Sequence, residues 1–219
     1  MDVYRSEEEQ IAAIQKWWQQ NGTAVLVAIV LAVVCYAGWH WYQRTKIDEA
    51  LAASTLYQNM MESFQQMTEG GSGAADAEAR IVKAGDELLN KHADSIYAQF
   101  GALMLAGHAV EKEDYPAAEK YLRTALTHDA DKALVALTTN RLARVLSAQG
   151  KYDDALALLK GDVPAKLVSA REDVRGDILM AQGKRADARA AWQKALDGAA
   201  EDDTARGLIT MKLDYVAGE

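Results

Sequence analysis

Cysteine is nearly absent from this sequence of 219 residues, and its single example, Cys35, lies in an apolar segment near the N-terminus. The rest of the chain therefore forms no disulfide bond and no cysteine metal site, which suits an oxidising compartment. Proline occurs only at Pro116 and Pro164, and strand-like alternation of Val, Ile and Thr is almost absent outside the apolar segment. Together with abundant Ala, Leu, Lys and Glu, these features predict an all-α protein.

Basic residues are also in short supply relative to acidic ones. The chain has 24 Lys and Arg against 32 Asp and Glu, a formal charge of −8. Nucleic-acid binding depends on clustered Lys and Arg that contact phosphates. The charge balance therefore argues against a nucleic-acid partner.

Motifs that indicate catalysis are missing as well. No Gly-x-Ser-x-Gly nucleophile elbow occurs, and the pairs Gly150-Lys151 and Gly183-Lys184 lack the upstream glycine and the following Ser or Thr of a phosphate-binding loop. The histidines show no metal-ligand spacing: they are His40, His92, His108 and His128. We expect no catalytic residue, no metal and no cofactor.

One long apolar run is present instead. Residues 17–43 contain no Asp, Glu, Lys or Arg, and about 20 such residues are enough to cross a bilayer as a helix. Amphipathic rings that suit the two headgroup layers lie at its ends: Trp17 and Trp18 on one side, and Tyr36, Trp39, Trp41 and Tyr42 on the other. The acidic start of the chain and the bulky residues after the run favour an uncleaved signal anchor, spanning residues 21–43, over a cleaved signal peptide or a buried core helix.

The charges beside this run do not choose an orientation. Arg5 and Lys16 precede it, and Arg44 and Lys46 follow it, so the count of basic residues is equal on the two sides. Within the preceding tail, residues 1–20, apolar residues recur at helical spacing up to Asn21-Gly22. This pattern predicts either an amphipathic helix on the membrane surface or the first turns of the spanning helix.

Residues 44–94 are expected to form a membrane-proximal helical cap. A helical pattern begins at Ile47 and fades at the glycine-rich stretch of residues 70–73. A second helix is predicted from Ala74 to about Lys91, followed by turn and cap residues at 92–95.

Internal repeats organise residues 95–219. Ala148-Gln149-Gly150-Lys151 recurs 33 residues later as Ala181-Gln182-Gly183-Lys184, and an earlier copy surrounds Tyr115-Pro116. Periods near 34 residues are typical of tetratricopeptide repeats, which are pairs of helices. Aligning the copies places small residues at the helix crossings: Ala106, Ala143 and Gly176 in the first helices, and Ala118, Ala155 and Ala188 in the second.

Two further features follow from the alignment. The stretch Lys160 to Pro164 should cut short the second helix of the middle repeat. A final helix, from Gly207 to Val216, should cap the array through Leu208, Met211 and Tyr215.

Repeat arrays of this kind bind partners on the concave face that the first helix of each pair lines. The alignment places four polar side chains there: Asn140, Arg144, Asp173 and Asp177. We hypothesise that they hold a peptide or partner segment through Asn and Arg contacts to backbone or carboxylate groups; the alternative is that they are ordinary solvated residues.

The assembled pattern resembles the YfgM family of bacterial inner-membrane proteins. The resemblance covers essentially the whole chain and rests on several runs: Gly38-Trp39, Asn140 to Val145, Asp173 to Asp177, Gly183-Lys184, Ala188 to Trp192, and Met211 to Asp214. It implies an ancillary subunit of the SecYEG translocon, with its tail in the cytoplasm and its repeats in the periplasm. It also implies association with the membrane-anchored isomerase-type chaperone PpiD, and a role in passing exported polypeptides to periplasmic chaperones.

Other functions remain open at this point. The chain could tether another envelope complex, such as one for cytochrome maturation or outer-membrane assembly. It could also be a membrane-bound enzyme whose site has no recognisable motif, and a convergent His, Asp and Ser cluster would then be expected in a pocket.

Overall fold

The computed structural model describes residues 7–70, 73–127, 131–200 and 203–217, and all regular structure in these ranges is helical. The helices are α1 (Glu7–Glu69), α2 (Ala74–Lys91), α3 (Ile96–Glu111), α4 (Tyr115–Ala125), α5 (Lys132–Ala148), α6 (Tyr152–Leu158), α7 (Val168–Ala181), α8 (Arg185–Gly198) and α9 (Ala205–Ala217), with a 3-10 turn at Ala165–Leu167. The all-α prediction is confirmed. The chain divides into two compact units, residues 1–51 and 52–219.

The first unit contains most of α1, which continues through Asn21 and Gly22 without a break. The Asn21 amide donates a hydrogen bond to the Trp17 carbonyl at 3.0 Å, and a Cβ at position 22 would lie 3.2 Å from the Trp18 indole. Glycine at position 22 leaves room for the Trp18 indole, and the Asn21 side chain bonds within the helix. The helix therefore continues through both residues, as expected if the tail forms the first turns of the span. Residues 1–6 of the tail lie outside the described ranges, and the span limits at 21 and 43 stay a prediction.

In the described residues, α1 is the one helix that is long and apolar enough to cross a membrane. Large apolar side chains along its middle, such as Val30 and Leu31, are exposed. A continuous apolar surface of this length is unfavourable in water and favourable in the apolar interior of a bilayer. This supports the prediction of a membrane helix over that of a buried core helix.

The second unit begins with the end of α1, which packs with α2 and α3 around a core that contains Met60, Ile81 and Leu88. The glycine-rich break follows α1, although residues 71–72 lie outside the described ranges. Helix α2 begins and ends where the sequence predicted. The Ser95 hydroxyl then accepts a hydrogen bond from the Ala98 N–H at 3.1 Å and caps α3.

Three helix pairs follow: α3 with α4, α5 with α6, and α7 with α8. All of the small residues predicted at the helix crossings are buried. Leu122, Leu142, Leu159 and Ile178 form the central core around them. The small side chains let the helices approach closely, while the larger Leu and Ile side chains fill the core.

The two Gly-Lys pairs end helices rather than bind phosphate. Gly150 and Gly183 adopt φ values of 75° and 80°, the left-handed conformation that glycine tolerates best. The next residue's N–H returns to the preceding helix, with Lys151 donating to the Leu146 carbonyl at 2.9 Å. These turns are the helix-to-helix junctions that the sequence predicted.

The final helix caps the array with a different face from the one predicted. Leu208, Met211 and Tyr215 are exposed, whereas Ile209 is only 1% exposed and lies in the core beside Trp192. Leu213 and Val216 pack against the same core. Both sets of residues share a helical spacing, so periodicity alone could not choose between them, and the prediction of the inward face was wrong.

Candidate partner-binding surface

The repeated Gln-Gly-Lys segment joins neighbouring repeats through Glu119 on α4. The Gln149 amide donates to Glu119 Oε2 at 3.0 Å, and Lys151 Nζ lies 2.8 Å from the same oxygen. The hydrogen bond from Lys151, helped by Arg123 and Gln149, lowers the pKa of Glu119 to about 2. One repeat later, the Gln182 amide donates to Asp153 at 3.2 Å. The motif therefore holds the repeats together.

Three of the four predicted binding residues lie in one polar cluster on α5, α7 and α9. Arg144 Nη2 lies 3.5 Å from Asp173 Oδ2. Lys212 Nζ lies 2.7 Å from Asp173 Oδ1 and 2.6 Å from Asp177 Oδ1. The Trp192 indole N–H donates to Asp177 Oδ1 at 3.2 Å, and Lys212 Nζ lies 5.7 Å from the centre of that ring.

Within this cluster, the two carboxylates are already engaged by the chain itself. The Asp173 side chain is 13% exposed and lies between two cations, whereas the Arg144 side chain is 57% exposed. A partner that approached this surface would meet the Arg144 guanidinium first. Arg144 is thus the group of the cluster best placed to contact a carboxylate or a carbonyl of another molecule.

Lys212 is the member of the cluster that sequence reasoning missed as a site residue. It lies in the run Met211 to Asp214, which contributes to the family resemblance, but its partners lie 35 and 39 residues earlier in the chain. The sequence feature that could have indicated its role is that Lys212 is the one lysine in the largely apolar helix α9, near the middle of that helix.

Asn140 contributes to a different surface. It lines a cleft between the first half of α5 and the connection from α6 to α7, together with Val135, Pro164 and Arg171. The residue is 8% exposed, and its amide makes no hydrogen bond with any residue that the structure describes. The four predicted residues therefore divide between a polar cluster and a separate cleft.

Comparison with known proteins identifies the family. The tetratricopeptide repeat-like domain matches residues 15–218. A protein of Escherichia coli is 31% identical over 196 residues, which cover 88% of each chain. A Haemophilus influenzae protein is 30% identical over 190 residues, covering 86% of this chain and 88% of its own. Both are named ancillary SecYEG translocon subunits. This chain belongs to their family.

The ancillary-subunit family includes relatives that align with nearly the whole chain. A protein of Neisseria gonorrhoeae with the same name is 28% identical over 214 residues, which cover 98% of this chain and 99% of its own. The alignment thus spans both the long apolar helix and the repeats of this chain. The resemblance noted from the sequence is confirmed.

The predicted membrane anchors of this ancillary-subunit homologue all lie on α1 and are exposed: Trp17, Trp18, Trp39, Trp41 and Tyr42. Trp18 and Trp39 are 21 residues apart, about 32 Å along a helix that rises 1.5 Å per residue. That separation matches a hydrocarbon core of about 30 Å. Their place at the two headgroup layers remains a prediction.

No group of three His, Cys, Asp or Glu side chains able to hold a metal ion occurs in the described ranges. His108 is buried, with Nε2 3.4 Å from Glu78 Oε1, and Lys112 contacts the same carboxylate. The hydrogen bond from Lys112 lowers the pKa of Glu78. His128 lies outside the described residues.

Proposed function

We propose that this protein is a non-enzymatic binding scaffold at the SecYEG translocon, anchored in the bacterial inner membrane by α1. The observation that supports this most strongly is the similarity to proteins named ancillary SecYEG translocon subunits over 86–98% of the chain. The fold is consistent with it, because stacked helix pairs present broad surfaces for partners.

The proposed orientation has the N-terminus in the cytoplasm and the repeats in the periplasm. The absence of cysteine from the repeats and the family resemblance support it, whereas the equal charge counts are neutral. Protease treatment of spheroplasts tests the orientation, because a periplasmic repeat domain is digested without lysis. Protection of the repeats until the membrane is broken would reverse the assignment.

The proposed partners are SecYEG and the isomerase-type chaperone PpiD, with exported polypeptides and periplasmic chaperones as further ligands. Arg144 is the exposed cation through which the polar cluster would contact such a partner. The variant Arg144→Glu reverses this charge, and Arg189→Glu on the exposed side of α8 is the matched control. We expect the first variant, and not the second, to reduce recovery of a partner.

Crosslinking in native membranes, followed by purification and mass spectrometry, tests the proposed function. SecY, SecE and SecG should be enriched over a control single-pass protein, and PpiD should accompany them. Recovery of other envelope proteins, such as cytochrome-maturation or outer-membrane assembly factors, without SecYEG or PpiD would contradict the proposal.

A further inference from the structure

Two of the three repeats are closed by a hydrogen bond between their helices. In the first repeat, the Gln99 amide donates to the Ala125 carbonyl at 3.0 Å. In the third, the Ser169 hydroxyl donates to the Ala195 carbonyl at 2.7 Å. Both bonds join residues 26 positions apart, from the start of the first helix to the end of the second. The two hydrogen bonds therefore lie at equivalent positions of their repeats and join the two helices in the same way.

The middle repeat lacks this closure. Aligning the repeats places Ala136 and Asp162 at the corresponding positions, and an alanine side chain has no donor. The second helix is also short: α6 has 7 residues, whereas α4 has 11 and α8 has 14. At 1.5 Å per residue, α6 is about 10 Å shorter than α8. The first half of α5 therefore lacks the second-helix turns that the other two repeats provide at this place.

A cleft of about 680 Å³ occupies the place of the missing helical turns. Its apolar lining includes Val135, Ala136, Leu158 and Pro164. Arg171 fixes one wall, because its Nη1 donates a hydrogen bond to the Gly161 carbonyl in the connection after α6. The volume is within the range of about 300–1,000 Å³ that is common for ligand pockets.

An unpartnered amide accompanies the apolar lining. Asn140 is more than nine-tenths buried, lines the cleft, and forms no hydrogen bond with the described residues. Its side chain offers both donors and an acceptor, so a ligand with an adjacent N–H and C=O could satisfy it. Buried polar groups are normally paired, and one that is left open toward a cleft points to a ligand.

We propose that this cleft binds an extended polypeptide segment. An apolar side chain of the segment lies against Val135 and Pro164, and the Asn140 amide pairs with the backbone of the segment. A helical ligand suits the cleft less well, because its backbone N–H and C=O groups already bond to each other within the helix. An extended segment presents both kinds of group to Asn140. The inference deepens the proposed function, on which it rests for its biological context.

The test uses the full chain in nanodiscs and the fluorescence anisotropy of a labelled peptide. The probe is a nine-residue peptide of serine and glycine with one central leucine. Two matched peptides carry aspartate in place of leucine, or N-methyl groups on the leucine and the next residue. We expect saturable binding of the first peptide, and at least tenfold weaker binding of both others, because one loses the apolar contact and one the backbone hydrogen bond.

Protein variants separate the cleft from the rest of the surface. Asn140→Leu should weaken binding of the leucine peptide at least tenfold, whereas Asn59→Leu, at an exposed position on α1, should leave it unchanged. Val163→Trp fills the cleft from the α6–α7 connection and should abolish binding. It tests the cleft independently of Asn140→Leu, in case that variant disturbs folding. Equal binding of the N-methylated peptide, or binding unaffected by Val163→Trp, would overturn the inference.

Recovery of SecYEG from membranes distinguishes this inference from the proposed function. If the wild-type protein recovers SecYEG but binds no peptide, the inference is overturned and the proposed function stands. If the protein binds the peptide through the cleft but recovers no SecYEG, the inference stands and the proposed function is overturned.

Discussion

Gly176 provides the sharpest test of the repeat packing, through the substitution Gly176→Ala. A Cβ at this position would lie 2.4 Å from Cδ1 and Nε1 of Trp192, whereas non-bonded carbon atoms prefer about 3.5–4.0 Å. The indole is only 3% exposed and its N–H donates to Asp177. The ring therefore cannot retreat without losing that hydrogen bond and disturbing its contact with Lys212.

Two effects oppose each other in this variant. Alanine is better than glycine inside a helix by about 1 kcal/mol. Overpacking costs about 1–3 kcal/mol and a lost hydrogen bond about 1 kcal/mol, so the clash outweighs the helix propensity by about 1–3 kcal/mol. A loss of about 2 kcal/mol lowers the midpoint of thermal unfolding by about 4–8 °C for a domain of this size.

Gly107→Ala is the matched control. Gly107 lies on the exposed side of α3, and a Cβ there would meet nothing within 4 Å. Only the higher helix propensity of alanine remains, so this variant should be more stable than the wild-type protein by about 1 kcal/mol. Thermal unfolding of the full-length protein in detergent, followed by far-UV circular dichroism, measures both variants. A Gly176→Ala protein as stable as wild type would refute the packing argument.

Three further predictions concern charge. Lys212→Met leaves Asp173 and Asp177 without the cation that they share, and should lower the free energy of unfolding in urea by about 1–3 kcal/mol. Arg144→Met, at a more exposed cation, should lower it by less than about 1 kcal/mol. Equal losses in the two variants would contradict the central place of Lys212 in the cluster. Glu119→Gln should destabilise the protein near neutral pH. Because the pKa of Glu119 is lowered to about 2, the difference in stability between the wild-type protein and this variant should vanish as the pH falls from about 4.5 to about 2. A difference in the free energy of unfolding that does not change over this pH range would exclude the ionic contact. Leu31→Arg places a charge in the apolar run at a cost of about 2.5–3.5 kcal/mol, and should move protein into the soluble fraction on carbonate extraction; unchanged extraction would argue against a span centred there.

The features that sequence predicted well depend on local signals. The junctions at Gly150 and Gly183 were recognisable because a left-handed turn favours glycine. The early end of α6 was recognisable because Pro164 and the polar residues before it do not continue a helix. The start of α3 was recognisable because Ser95 caps it. Each of these signals lies within a few residues of its effect.

The features that sequence did not predict depend on distant contacts. The inward face of α9 was ambiguous, because the stripes headed by Leu208 and Ile209 have equivalent spacing and only packing against α8 chooses between them. Lys212 gained a role through carboxylates on α7. The side chains that line the cleft beside Asn140, where α6 ends early, come from α5, α6, α7 and the connection between α6 and α7. No local pattern contains that information.

The proposed association of this membrane-anchored repeat protein with SecYEG can be measured by energy transfer. The full-length protein, with Cys35→Ala and a donor dye on Lys194→Cys in α8, is co-reconstituted with acceptor-labelled SecYEG in nanodiscs. We expect saturable energy transfer that decreases when unlabelled protein competes for SecYEG. Energy transfer no greater than that of an unrelated single-pass protein carrying the same dye would contradict it.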